Sequence, residues 1–485
     1  MWKKISAYFS AAGLIGGLSA ALAGSAFLYL DYWGLSSPWI ETPLALLFFL
    51  LLLRGDRRLW LWSGWFLGLF WFWWIGVSLL HYGHPWAVPL VSFAVSLVYA
   101  LLFWAIAFFA EFLATLLVSQ SQVASRKSQV DWFFKALALV FLSRLHPFGF
   151  DWFKPELVLV HTVFGVGKGS LALILAALWL LLSLLNGPEK RPYEWALGIF
   201  AALLLLLPAL DLHRAQVLPD DPRGTVAIRG TEVPVERKWR RSSLDGQIRE
   251  VLASIDRAVA EGYRAILLPE SVLPLFLNTE PRLLAALEKR SRKIDIVLGA
   301  LYLTPDRQNR NAAYHFHDGS YTVANKVVLV PFGEANPLPD WASRWVNEIF
   351  FDGAPDYQAA ETPSDFLIGG ETYRPAVCFE GTSERLFADR PERLLMISNN
   401  GWFHPSIEPT LQRLLLEYYH RKYGTKIWHA VNMGPSYFIN REMRKRKAES
   451  KRFISREVLS AKNERPTTND QRLTTNAPTA PSTPA

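Results

Sequence analysis

The sequence predicts a chain in two parts: a multi-span α-helical membrane bundle over residues 1–212 and a layered α/β domain over residues 224–461. Composition carries the first part, because 51% of residues are hydrophobic, 14% aromatic and only 19% charged, against roughly 25% charged in soluble domains. Long apolar runs fill the first 212 positions and charged residues gather after them. Pattern carries the second part, since beyond residue 224 short β-rich runs alternate with amphipathic helical segments. Residues 213–223 read as a linker, and residues 462–485, rich in Thr, Pro and Ala, as a disordered tail.

A membrane span needs about 20 apolar residues. Seven segments approach that length: 8–30, 37–53, 59–80, 87–117, 132–148, 166–186 and 193–212. The fifth is interrupted by Lys135, Arg144 and Pro147. Basic connections (Trp2-Lys3-Lys4, Arg54 to Arg58, Arg126-Lys127, Lys190-Arg191) alternate with DYWGLSS and HYGHPW, which carry no Lys or Arg. Because Lys and Arg collect on the cytoplasmic side, the N-terminus is expected inside and everything after residue 212 outside. Ala21-Leu22-Ala23 also resembles a signal-peptide processing site; cleavage there would remove one helix and leave the rest of the topology unchanged. His81, His84, Trp152 and Lys154, on the outer side, are candidates to touch a lipid headgroup.

The formal net charge of +8 does not point to nucleic acid, because residues 441–485 alone carry 11 Lys and Arg against 5 Asp and Glu. In the outer domain TVAIRG, AILLPES, IDIVLGALYL, NAAYHFH, YTVANKVVLV, YRPAVCFE and LLMISNN read as strands, and residues 244–262 and 280–293 as amphipathic helices. A further strand is expected at FISREVLSA, residues 453–461. No metal-ligand cluster, phosphate-cradling GxxxxGK or internal repeat is read, and neither metal nor cofactor is expected.

Three strand ends carry side chains able to react: Glu270 in LLPES, Lys326 in ANKVVLVPFGE, and Cys378, the only cysteine of 485 residues, in RPAVCFE. Alone, each has a bland reading: a solvated strand end, a surface lysine, a small core residue. Together they supply base, cation and nucleophile, which is what acyl transfer through a thioester requires. Glu270 would take the thiol proton, and Lys326 with the backbone N–H after Cys378 would face the oxyanion.

At these residues the sequence resembles the nitrilase superfamily, whose members carry a Glu-Lys-Cys triad on a four-layer α-β-β-α sandwich. VAIRGTEVPVERKW, ILLPESVLPLF, KVVLVPFGEANPL, VCFE and ISNNGWFHPSIEPTLQRLLLEYYHRKYGTKIWHAVNMGPS resemble more narrowly its membrane-embedded branch, the apolipoprotein N-acyltransferases. That resemblance implies transfer of an acyl chain from phosphatidylethanolamine, through a thioester, to the amine of a diacylglyceryl-cysteine lipoprotein. It implies Glu270 as base, Lys326 as oxyanion-side cation and Cys378 as nucleophile, supported by Glu334, Glu380, Trp239 and Phe379. It also implies a monomer in the bacterial inner membrane with its catalytic domain on the periplasmic side, and no nucleic-acid partner. WASRWVNEIFF, residues 341–351, would dip into the interface as a gate.

Three departures from the family pattern stand out. Phe379 occupies a position usually held by Tyr, NNGWF replaces N-D-A-W-F and so removes an acidic side chain near the pocket, and no eighth span is read after residue 440. The competing reading is a membrane-tethered nitrilase-type amidase with water as acceptor; a catalytically idle lipid-binding scaffold is the third.

Overall fold

The structure, a computed structural model, describes residues 8–118, 124–186, 191–350 and 356–441. Trp2-Lys3-Lys4, Lys190, the expected strand at 453–461 and the tail lie outside the described residues.

Seven long helices come first among these: α1 (Ala11–Tyr32), α2 (Pro38–Arg54), α3 (Arg57–Phe72), α4 (Ala87–Leu117), α5 (Ala124–Leu142), α6 (Lys168–Leu185) and α7 (Pro192–Leu206). Residues Trp73–Leu80 extend α3 as a 3-10 helix. By length and composition five are able to cross a membrane: α1, α3 with its extension, α4, α6, and α7 through Ala209. Their packing depends on small residues: a Cβ on Gly64 of α3 would lie 2.3 Å from the Tyr99 carbonyl of α4. The fifth helix departs from expectation, beginning at Ala124 rather than residue 132 and ending at Leu142. Pro147 forces an extended approach through His146 (φ −114°, ψ 89°), so the helix cannot run on to 148. The lysine that interrupts its apolar run is accommodated: buried Lys135 donates to the Gly55 carbonyl at 2.7 Å and pairs with Asp131 at 2.6 Å.

The α/β domain contains two six-stranded sheets. The first has the order β1 (Ala215–Leu218), β12 (Tyr437–Arg441), β11 (Lys426–Asn432), β10 (Arg393–Asn399), β9 (Glu371–Val377), β8 (Phe366–Ile368). The second runs β2 (Val226–Ile228), β3 (Ala265–Leu267), β5 (Asp295–Leu303), β6 (Asn309–His317), β7 (Ser320–Asn325), with β4 (Leu273–Phe276) also paired to β5. β1 lies inside the segment expected to be a linker, so 213–223 is partly sheet. The strand expected over 321–330 stops at Asn325.

Period-two alternation builds the layers. Leu395 and Ile397 of β10 share a core with Val226, Leu267 and Val297 of the second sheet, whereas Leu394 and Met396 face the other way. Ile266, Ile296 and Leu298 pack with Val251, Ile255 and Leu287 from α9 (Arg241–Ala260) and α10 (Pro281–Ser291), which follow the short α8 (Val235–Lys238). On the far side, Leu411, Leu414 and Leu415 of α12 (Glu408–Tyr423) cover the first sheet. This is the expected α-β-β-α sandwich, with the outer helical layer also pressed against the bundle in one continuous core.

Segment 143–167 forms the seat on which the domain sits. Arg421 of α12 donates to the carbonyls of Leu159 (3.2 Å) and Phe164 (2.9 Å) and reaches Asp211 (3.3 Å), satisfying backbone that burial would otherwise leave unpaired. Arg413 pairs with Asp31 of α1, and His161 Nε2 lies 3.0 Å from Glu417. Trp152 and Lys154, expected at a headgroup, are instead buried in this seat: Trp152 donates to Thr382 Oγ1 at 2.7 Å, and Lys154 lies 3.7 Å from Asp151. His81 Nδ1 is 2.6 Å from Glu236 of α8, and His84 packs edge-on against Trp86.

Candidate active site

β3 runs parallel to β2 and β5, and β9, in the other sheet, runs parallel to β10 and antiparallel to β8; each is followed by a residue in the left-handed region: Ser271 (φ 44°) after Glu270, and Cys378 (φ 54°) after Val377. Side chains with a Cβ adopt that region at a cost, so these are turns enforced by surrounding structure. The turn at Glu270 lies so close to β5 that a Cβ on Gly299 would fall 2.6 Å from the Glu270 Cα and 2.7 Å from the Ser271 nitrogen. Cys378 opens a 3-10 turn, Cys378–Thr382, against which α12 packs.

Lys326 follows β7. Since Ala312 pairs with Asn325, Asn311 stands opposite Lys326, whose N–H donates to the Asn311 carbonyl at 2.9 Å. The side chains converge accordingly. Asn311 Nδ2 donates to Glu270 Oε1 at 2.8 Å and to Glu334 Oε1 at 2.9 Å, and Lys326 Nζ lies 2.7 Å from Glu334 Oε2. Glu334 also accepts from its own turn at Val330 N, 2.9 Å.

Glu380 acts as a backbone clamp: its carboxylate accepts from Val377 N at 2.7 Å and Val327 N at 2.8 Å, joining the residue before Cys378 to the residue after Lys326. Burial pushes it up to about 7, against the pull of Lys326 and those N–H donors. Phe379 is buried and stacks on Phe150 (5.5 Å) and Trp152 (6.0 Å), an apolar seat in which a ring without a hydroxyl fits. Of the Lys-Trp pair, Trp239 is 42% exposed, and Lys238 reaches the site instead, with Nζ 3.2 Å from the Glu270 carbonyl oxygen.

Electrostatics link these groups. Burial, with Glu334 adding, raises Glu270 above the usual carboxylate range, opposed by Lys326, Asn311 and Lys238. Burial and Glu270 hold the half-buried Cys378 well above an ordinary thiol, while Lys326 draws it down. Burial works against a charge on Lys326, yet Glu334, Glu270, Cys378 and Glu380 together outweigh it and raise its affinity for a proton. Burial lowers Lys238 to about 8, with Glu270 opposing. The resting site therefore keeps its proton on sulfur and a fixed cation beside it, and a base is needed to release the thiolate.

Sequence reasoning missed Lys238, Asn311 and Glu408. Lys238 sat beside the more conspicuous Trp239, and Asn311 opened a strand read only for its apolar residues. Glu408, the first residue of α12, is buried; its Oε2 has no hydrogen-bond partner, and burial together with Glu270 pushes it up to about 8. It interacts electrostatically with Cys378, so an acidic side chain does reach this site although NNGWF lacks one. No group of three metal-ligating side chains lies here among the described residues.

Comparison with known proteins finds relatives along most of the chain. The family model described as the apolipoprotein N-acyltransferase integral membrane domain matches residues 12–206. The chain is 38% identical over 426 residues to an apolipoprotein N-acyltransferase of Wolinella succinogenes, covering 87% of this chain and 94% of that one. It is 32% identical over 421 residues to one of Helicobacter pylori, covering 85% and 91%. Among solved structures, an amidase from Nesterenkonia sp. overlaps with a TM-score of 0.32 at 14% identity, covering 50% of this chain and 96% of that one.

Proposed function

Because this chain belongs to the apolipoprotein N-acyltransferase family, we propose that Cys378 carries an acyl chain from a phospholipid to the N-terminal amine of a diacylated apolipoprotein. The observation that supports this reading is the convergence of Glu270, Lys326 and Cys378 in one buried, mutually coupled set of charges.

In the first half-reaction Glu270 takes the thiol proton as Cys378 Sγ attacks the ester carbonyl carbon of phosphatidylethanolamine. The oxyanion faces Lys326 and the N–H of Phe379. Collapse breaks the C–O bond, and Glu270 returns the proton to the departing lysophospholipid alkoxide, leaving a thioester. In the second half the amine of the diacylglyceryl-cysteine attacks that thioester, Glu270 accepts its proton, and the same proton goes back to the leaving thiolate. Glu334 is the weaker candidate for base, because Lys326, Asn311 and Val330 already occupy its oxygens. Glu380 and Phe379 position the nucleophile's turn, Glu334 positions Lys326, and Trp239 takes no part that its exposure supports.

The catalytic domain in this reading includes β1 and so begins by Ala215, its described part running to Arg441, and the alternation of basic loops supports the periplasmic side of the bacterial inner membrane. The protein works there as a monomer. α11 (Asp340–Phe350) supplies the interfacial element, presenting exposed Trp341, Trp345 and Ile349 at i, i+4 and i+8.

Purified protein in detergent, incubated with phosphatidylethanolamine alone, is expected to accumulate an acyl-thioester on Cys378, read by mass spectrometry. Addition of a diacylated lipopeptide should discharge it and add a third acyl chain to the peptide. A peptide that never gains that chain, with Cys378→Ala matching the unaltered protein, would sink the reading; discharge to water at the same rate without peptide would favour the amidase.

A further inference from the structure

The sequence showed no metal-ligand cluster, yet the fold makes one at the end of the sandwich remote from Glu270. Asp295 begins β5 and pairs with Ala265, the first residue of β3, while Glu270 follows that strand's other end. In the antiparallel β5–β6 pair, Ile296 stands opposite Phe316, so the next step brings Asp295 opposite His317. His315 and His317, two apart on one strand, point to the same face as Asp295, away from Tyr314 and Phe316. The result is tight: Asp295 Oδ1 lies 3.0 Å from His315 Nε2 and 2.6 Å from His317 Nδ1. One potential ligand atom from each residue falls within 4.8 Å of the other two.

We propose that Asp295, His315 and His317 form a binding site for a divalent transition metal, zinc in the first instance. Two imidazoles and one carboxylate are the borderline donors that suit zinc, copper or nickel rather than magnesium or calcium. Ligand atoms of a tetrahedral site with metal bonds of about 2.0–2.1 Å lie roughly 3.3 Å apart, so the three side chains need only small movements to admit an ion. Metal at His315 Nε2 and His317 Nδ1 would replace the hydrogen bonds these nitrogens make to Asp295 Oδ1, with each ring carrying its proton on the other nitrogen. The surroundings differ on the two sides. His315 is buried with its ring 5.1 Å from that of Phe366, whereas the His317 side chain is 62% exposed. The ion would thus sit where the strand ends of β5 and β6 meet solvent, with its fourth position open, a binding site that also clamps β5 to β6 far from the acyl-transfer chemistry.

The test uses the full-length chain without a histidine tag, stripped with chelator and titrated with cobalt(II) and then zinc. Expected are one equivalent of cobalt with the intense visible absorption of four-coordinate geometry, loss of that band on adding zinc, and a zinc-dependent rise in Tm. His317→Ala, at an exposed position, should abolish the band and the Tm shift while leaving acyl transfer unchanged. Asp295→Asn should weaken binding at least tenfold. An absent band in the unaltered protein, or a band and a Tm shift that survive His317→Ala, overturns the proposal.

Discussion

Glu270 and Glu334 share one side-chain amide: Asn311 Nδ2 donates to an oxygen of each, at 2.8 and 2.9 Å. Two buried carboxylates repel, and Glu334 already contributes to raising Glu270. The amide, Lys326 and Lys238 oppose that rise and favour an ionised Glu270 beside a second carboxylate, as the proposed reaction requires of its base.

Asn311→Ala should therefore do two things. Loss of a donor to the ionised form raises Glu270 further, so the acid limb of the pH dependence of kcat/KM moves to higher pH. With the carboxylate less ionised and less well oriented, kcat/KM at neutral pH should drop roughly 10- to 100-fold. A uniform loss of rate with an unmoved limb would assign Asn311 a purely structural part.

Lys238 offers an independent check on the same carboxylate. Its buried ammonium favours ionised Glu270 through space and holds the Glu270 carbonyl oxygen at 3.2 Å. Lys238→Met keeps the stem and removes the charge, so the acid limb again moves upward while the alkaline limb loses any contribution from a lysine lowered to about 8. Measuring both limbs with a soluble ester donor separates these effects. If neither limb moves, Lys238 does not tune the base.

Glu270 and Cys378 were legible because each closes a short apolar run, whereas Lys326 lay inside the segment read as one strand over 321–330 and stands at a strand end only because β7 stops at Asn325. β5 and β6, although buried on both faces along most of their length, were readable as β-rich runs closed by the turn residues TPD and DG. Misses have physical causes. β11, KIWHAVN, is buried on both faces and shows no alternation, with even His429 inaccessible. α12 has no solvent face to reveal its period, because Gln412 and Glu417 are buried and Arg421 is spent on bundle carbonyls. β8 and β4, at three and four residues, are too short to show a pattern. Asn311 and Lys238 depend on pairings between strands and turns distant in sequence, and although His315 and His317 share a face by their spacing, only the β5–β6 register brings Asp295 to them.

Glu408 predicts a pH dependence of stability. An unfolded glutamate titrates near 4.3, and burial with Glu270 raises the folded group to about 8. The folded chain thus binds the proton more tightly. Its stabilising contribution is complete below about pH 4.3 and is lost progressively as pH rises towards about 8. Glu380, pushed up to about 7, acts in the same direction over a narrower window. Glu408→Gln should melt near the unaltered protein at pH 5 and above it at pH 8.5, by on the order of a few kcal/mol. Parallel melting curves across that range would show that Glu408 ionises freely in the folded state.

The exposed face of α11 predicts how the enzyme meets its lipid. Trp341 is 75% and Trp345 62% exposed, an arrangement that suits a membrane interface better than water. Burying a large apolar side chain is worth about 1.5–3 kcal/mol, so replacing both with Ser removes enough to change partitioning by more than tenfold. The double variant Trp341→Ser, Trp345→Ser should form the Cys378 thioester at an unchanged rate from a soluble short-chain thiol-reactive ester in detergent. On phospholipid vesicles the same step should slow roughly tenfold or more. An equal loss in both assays would mean that α11 supports the active site itself, and no loss on vesicles would mean that another surface brings the lipid in.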